Sequence, residues 1–310
     1  MLHFELDQLG REEDSNSLRY SLSISWSFVC MLHFSEDPRA GGPFQHWMPF
    51  AHTYGTAFVY ISGFLLFNIS QKTKLAWLPT VTTIATAIIV VLSMTRGVWL
   101  GMFVAVVCIS FLIKWRQSLK LLAGLCLIFG MTLALSNVAR ERAITTNSVK
   151  NESDNQRKAL WMGNFEIIKD YPLFGSGYSQ NRNYLRKYYD KLGFPPDQFI
   201  SHAHNEFLHI WAGTGTLGLL CYLFFLGALL RMTALAYFRV APELILPKSI
   251  ALGSLGAQIC FIVASLTESN FSIAKNRYIF LLISALGVSI YYRYVKNANY
   301  QKYKMLSPEV

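Results

Sequence analysis

His202-Ala203-His204-Asn205-Glu206-Phe207-Leu208 runs straight into His209–Leu230, HIWAGTGTLGLLCYLFFLGALL, so a titratable stretch opens onto a long apolar one. A bilayer core is crossed by roughly 20 apolar helical residues, and 207–230 reaches that length. Imidazoles and carboxylates are costly beside hydrocarbon, so at such a boundary they are functional candidates.

Comparable apolar blocks occupy 52–70, 77–95, 97–113, 119–137, 249–267 and 277–295, giving seven predicted spans with 207–230. The apolar segment 21–34 is short for a span and reads as re-entrant, interfacial or core. The composition agrees: 53% hydrophobic and only 15% charged residues, too little charge for the surface of a soluble domain. The expected fold class is all-α, a polytopic membrane helix bundle with a long, partly helical loop. The expected organisation is a polar N-terminus with a short apolar segment (1–50), transmembrane helices (51–137), an outer loop (138–206), transmembrane helices (207–295) and a tail (296–310).

The net charge of +10 is not gathered into one basic face, which argues against nucleic acid as a partner. Lys72 and Lys74, then Lys114, Arg116 and Lys120, then Arg231, Arg239 and Lys248, then Arg293, Lys296, Lys302 and Lys304 fall in loops that alternating spans place on one side. The positive-inside rule makes that side cytoplasmic and implies contact with membrane lipids. The opposite side receives 35–51, the turn at Thr95-Arg96-Gly97, residues 138–206 and the loop around Asn270. Cys30, Cys108, Cys126, Cys221 and Cys260 all lie in apolar segments and read as small buried hydrophobes.

Within the outer loop, Leu160, Trp161, Phe165 and Ile168 recur near helical spacing, predicting an amphipathic helix over 155–170 that lies against the membrane surface. Pro172 and Gly175-Ser176-Gly177 end it. Tyr171, Tyr178, Tyr184, Tyr188 and Tyr189 follow, either stacking on sugars or forming an interfacial belt.

Arg96 interrupts an apolar stretch, SMTRGVWLG at 93–101, either as a snorkelling cation or as a bidentate clamp on phosphate. Arg157 is either a solvated surface residue or a second clamp on the same diphosphate. For the histidines three readings compete: a metal set of His202, His204, Glu206 and His209, structural rings at a helix start, or a general base with His204 nearest the helix and His202 on its approach. Asn205 and Glu206 would fix the ring tautomer, meet substrate hydroxyls or cap the helix. Gly213-Thr214-Gly215-Thr216-Leu217-Gly218 spells GxGxxG without a preceding strand, so it predicts close helix packing and not a dinucleotide site.

TRGVWLG at 95–101, QRKALW with IIKDYPLFGSGY after it, and HAHNEFLHIWAGTGTLG at 202–218 together resemble the O-antigen ligase and polymerase superfamily of bacterial envelope glycosyltransferases. The resemblance covers roughly 50–295 and implies a GT-C-like enzyme at the periplasmic face of the inner membrane. It implies transfer of a glycan from undecaprenyl diphosphate to an acceptor hydroxyl with no cofactor and no metal. By matching position, Arg96 and Arg157 would bind the diphosphate and His204 would activate the acceptor, while the residues themselves make His202 and Asn205 candidate substrate contacts. The motifs look most like the ligase, whose acceptor is the lipid A–core oligosaccharide. The polymerase and a protein O-oligosaccharyltransferase are the nearest alternatives, and a transporter is the alternative outside enzymes. Relatives carry several more spans before the arginine turn, so the resemblance also implies a shortened N-terminal part of the bundle.

Overall fold

A computed structural model describes residues 47–70, 77–113, 148–194 and 202–297, with scattered positions between 119 and 130. The predicted span at 119–137 lies largely outside the described residues, and the segment 21–34 wholly so. Among the described residues all regular structure is helical: α1 (Trp47–Ser70), α2 (Trp77–Leu92), α3 (Arg96–Phe111), α4 (Ser148–Asp170), α5 (Asn181–Leu192), α6 (Glu206–Arg239), α7 (Ile245–Ala264) and α8 (Ala274–Tyr291), which ends in a π turn at Tyr292–Lys296. The result is an all-α membrane bundle. α1, α6, α7 and α8 are long and apolar enough to cross a membrane. α2 and α3 have 16 residues each. At 1.5 Å per residue that is roughly 24 Å, short of a hydrocarbon core of roughly 30 Å.

α7 is the hub, because it is narrow. A Cβ at Gly253 would lie 2.4 Å from the Tyr60 carbonyl oxygen of α1, and one at Gly101 of α3 would lie 2.8 Å from the Cys260 carbonyl oxygen. Small residues at such crossings let helix backbones approach without a side chain between them. Two polar groups buried there tie helices together: Ser254 donates to the Ile283 carbonyl of α8, and the Gln258 amide N–H donates to Thr233 of α6. Of the described cysteines, only Cys260 is buried; Cys126 and Cys221 are exposed on the bundle's outer surface, contrary to the expectation that all were buried.

α6 is one helix only by continuity. Gly215 has φ 67° and ψ −174°, which breaks it. Phe207 and Tyr222, fifteen positions apart, bring their rings to 6.1 Å, whereas a straight helix would separate their Cα atoms by roughly 22 Å. The outer half, Glu206 to Thr214, therefore folds back against the inner half. A break frees carbonyls on one side and amides on the other. The loop after α4 takes up both: the Ser176 and Gly177 amides donate to the Ala212 and Gly213 carbonyls, while Thr216 and Leu217 donate to the Pro172 and Leu173 carbonyls. The glycine run does serve close approach, as expected. Its partner is this loop and not a second helix, because a Cβ at Gly175 would sit 2.4 Å from the Gly213 carbonyl carbon.

The α4 prediction needs a similar correction. Leu160 and Ile168 are buried with Leu185, Tyr188, Tyr189, Leu208 and Ala212, so that face of the helix packs on α5 and α6 instead of lying on lipid. Trp161 and Phe165 stay partly exposed at the edge of this core. Tyr188 and Tyr189 also leave the expected tyrosine belt for the core, with the Tyr188 hydroxyl donating to Asp170 at 2.5 Å.

Candidate active site

The ends of five helices converge at one pole of the bundle. Glu206 is the first residue of α6, and its backbone N–H donates to the Ser265 carbonyl just beyond α7. Its carboxylate accepts from the Phe271 N–H at 2.6 Å, the Ser272 N–H at 3.4 Å and the Ser272 hydroxyl at 3.2 Å. Thr53 of α1 donates to Asn276 of α8, and Asn276 donates to Asn270. The loop between α7 and α8 is thereby pinned against the start of α6 by buried, satisfied polar groups, which hold one geometry because each is costly to leave unpaired.

That pinned loop carries Glu268, a carboxylate only 3% exposed. Its Oε1 pairs with His202 Nε2 and its Oε2 with His204 Nδ1, the latter at 2.9 Å. The Ser269 N–H also donates to Oε1. The two imidazole rings stand 4.4 Å apart. Burial alone would raise the Glu268 pKa, but the hydrogen bonds and charges of His202 and His204 outweigh it and hold the carboxyl well below its ordinary range. Burial likewise opposes charge on His202, yet the Glu268 hydrogen bond and charge prevail and its pKa is raised.

An ionised carboxylate accepts hydrogen bonds and donates none. Both nitrogens facing Glu268 therefore carry their protons. His204, protonated on Nδ1 in its neutral form, presents the lone pair of Nε2 on the opposite side of the ring. This is the arrangement in which a carboxylate fixes the tautomer of a general base. His204 also has φ +47°, a left-handed backbone uncommon outside glycine.

The two flanking residues resolve separately, Asn205 into the expected cap and Glu206 into a loop anchor. Asn205 caps α6, its side chain accepting from the Leu208 N–H at 3.0 Å. Glu206 anchors the α7–α8 loop, so neither residue orients a ring directly. Among the described residues, the group with three ligand atoms within 4.8 Å of one another is His202, His204 and Glu268, not the set with Glu206 and His209. Its nitrogens already bond to its carboxylate, so the set is self-satisfied by hydrogen bonds. His209 is buried one turn down α6, where its carbonyl accepts from the Asn181 amide of α5.

Both arginines border this cluster through their elements. Arg96 is exposed at the first position of α3. A Cβ on its neighbour Gly97 would lie 1.9 Å from Thr267 Oγ1, so the arginine turn packs directly on the loop beside Glu268. Arg157 lines a shallow groove along α4 with Lys158, Trp161, Met162 and Phe165. One turn after Arg157, Trp161 donates its indole N–H at 2.9 Å to the carbonyl of Ala203, between the two histidines. Two cationic elements, both earlier in the chain, thus pack on the histidine–carboxylate cluster, α3 at Thr267 and α4 at Ala203.

Sequence reasoning missed Glu268. Its one signal was a carboxylate in the short polar interval LTESNFS between two apolar blocks, on the same side as the histidines.

Residues 81–223 match the family model described as O-antigen ligase. The match takes in the arginine turn, α4 and the histidine segment, and it bears out the resemblance to the O-antigen ligase and polymerase superfamily. It stops short of Glu268. No curated protein matches the chain at a significant level.

Proposed function

We propose, from the match of residues 81–223 to the family model described as O-antigen ligase, that this multi-pass membrane protein transfers O-antigen glycan from undecaprenyl diphosphate to the lipid A–core oligosaccharide. The reaction takes place at the periplasmic face of the inner membrane. His204 Nε2 removes the proton of the acceptor hydroxyl while that oxygen attacks the anomeric carbon of the lipid-linked sugar. The bond from that carbon to the diphosphate oxygen breaks, and its electron pair leaves on undecaprenyl diphosphate. Negative charge grows on the leaving diphosphate, where the guanidinium groups of Arg96 and Arg157 neutralise it. Fixed cations then do the work of a metal ion, and the scheme is metal-independent. His202 shares the carboxylate that orients His204 and lies on the approach to it.

The observation that supports this reading best is the double hydrogen bond from His202 and His204 to the buried carboxylate of Glu268. A solvated or purely capping pair of histidines would need no such acceptor. The polymerase, with a second lipid-linked repeat as acceptor, uses the same chemistry. A transporter gains one point, since α6 is broken at Gly215. Among the described residues, however, no second broken helix matches it, as paired transporter halves would require.

The test is transfer by the purified chain in lipid, with undecaprenyl-diphosphate-linked glycan and each acceptor in turn. Product on lipid A–core alone supports the ligase. Product only on the lipid-linked repeat replaces it with the polymerase, and product on neither overturns both.

A further inference from the structure

The loop that docks on the α6 break is apolar on its outward side. Leu173 is 58% exposed and Phe174 76% exposed, and the rings of Tyr171 and Tyr178 are also open. On α6 itself Leu217, Leu220 and Phe224 face outward, Phe224 at 79%. These two patches are contiguous, because the Leu217 N–H donates to the Leu173 carbonyl.

The half of α6 from Thr216 to Arg239 is the spanning part. Its 24 residues (216 to 239) make roughly 36 Å of helix, enough for the hydrocarbon core. Leu217, Leu220 and Phe224 are thus on the lipid-facing surface of a span, near its end, and the loop sits at that end. Large apolar side chains with tyrosines beside them, at the level where a span leaves the hydrocarbon, match the chemistry of the lipid interface. The four backbone hydrogen bonds across the break hold the loop at a fixed height relative to the span.

We infer that Leu173 and Phe174 insert into the outer-facing lipid leaflet as an anchor, and that their partner is lipid acyl chain and not a second protein or a glycan. The anchor sets the depth of the α4–α5 unit against the membrane, and with it the height of the histidine cluster that this unit contacts through Trp161. The inference needs no assumption about the reaction.

The test measures depth. In the full chain with its five cysteines replaced by alanine and reconstituted in lipid vesicles, a nitroxide is attached at Phe174→Cys. Phe224→Cys serves as the lipid-facing reference and Asp190→Cys, exposed on α5, as the water-facing one. Collision with oxygen relative to a water-soluble nickel complex should be several-fold higher at 174 than at 190 and close to that at 224. A label at 174 that meets the nickel complex as freely as 190 overturns the inference. So does one shielded from both reagents, which would mean protein covers the patch. If the 224 reference shows that the cysteine-free chain has not inserted, Phe174→Trp in the native-cysteine chain takes its place. Brominated lipid should quench that variant more than the parent, and equal quenching overturns the anchor.

Discussion

Glu268 Oε2 accepts the Nδ1 proton of His204 at 2.9 Å from sixty-four positions further along the chain. The same carboxylate accepts from His202, so one buried anion sets the tautomer of two rings. Orientation of the proposed base therefore depends on a loop outside the histidine segment, held there by Glu206. The carboxylate of Glu206, which in sequence could be a metal ligand, a partner of the rings or substrate, or a helix cap, clamps the Phe271 and Ser272 amides.

Glu268→Gln tests this dependence. An amide can accept from one ring but turns an N–H₂ donor toward the other, so one imidazole must change tautomer or swing away. We expect kcat to fall about 10²- to 10⁴-fold with little change in KM. Steady-state transfer kinetics in lipid nanodiscs measure both, and a wild-type kcat removes Glu268 from the mechanism.

Arg96→Lys and Arg157→Lys separate a phosphate clamp from a snorkelling cation. Lysine keeps the charge and loses the planar fork that meets two phosphate oxygens. Each variant should lose roughly 10-fold or more in kcat/KM for the lipid-linked donor, and each alanine variant about 10²- to 10³-fold. Unimpaired transfer by the lysine variant of either residue would leave that arginine with a merely interfacial role.

Gly215→Ala tests the broken helix. A side chain there would be forced to φ 67°, with its Cβ 2.2 Å from the Leu173 carbonyl oxygen. The loop must then undock and break four backbone hydrogen bonds, at a cost of about 2–4 kcal/mol. Thermal unfolding in detergent should show a marked drop in Tm. An unchanged Tm would mean that the docking contributes little.

The His202–Glu268 pair should also leave a mark on stability against pH. The His202 pKa is raised in the fold above its ordinary 6.5. Its contribution is full below that ordinary value and is lost as pH rises through the raised one. Glu268 is held well below its ordinary 4.5, so its contribution is full above 4.5 and is lost as pH falls through the depressed value. Both act together between about pH 4.5 and 6.5. Tm measured across pH should be highest there and decline on either side, and Glu268→Gln should flatten the profile. A variant profile parallel to the parent's would show that the pair does not carry the dependence.

The sequence made the bundle legible where apolar blocks were long and separated by charge. α2, α3, α7 and α8 lie where those blocks predicted, and the alternation that put the arginine turn, the histidines and the Asn270 loop at one pole matches the structure. His204 was legible because an imidazole at a membrane boundary is costly. Glu268 was not, since hydrogen-bond partnership across sixty-four residues has no local period to read. Nor was the break in α6: GTGTLG is compatible with helix packing, and only the positive φ of Gly215, with a loop ready to satisfy the freed backbone, distinguishes a hinge from a crossing. The α4 prediction erred because Leu160, Trp161, Phe165 and Ile168 look like one apolar stripe, although α5 and the folded-back half of α6 bury only part of it.

The most direct test of the central claim, that Nε2 of His204 is the base for the acceptor hydroxyl, is glycan transfer to lipid A–core by wild-type chain and His204→Ala in matched nanodiscs. Product is expected from the wild type and none above background from the variant, with equal insertion and equal binding of the lipid-linked donor. Transfer by His204→Ala at the wild-type rate would contradict the claim.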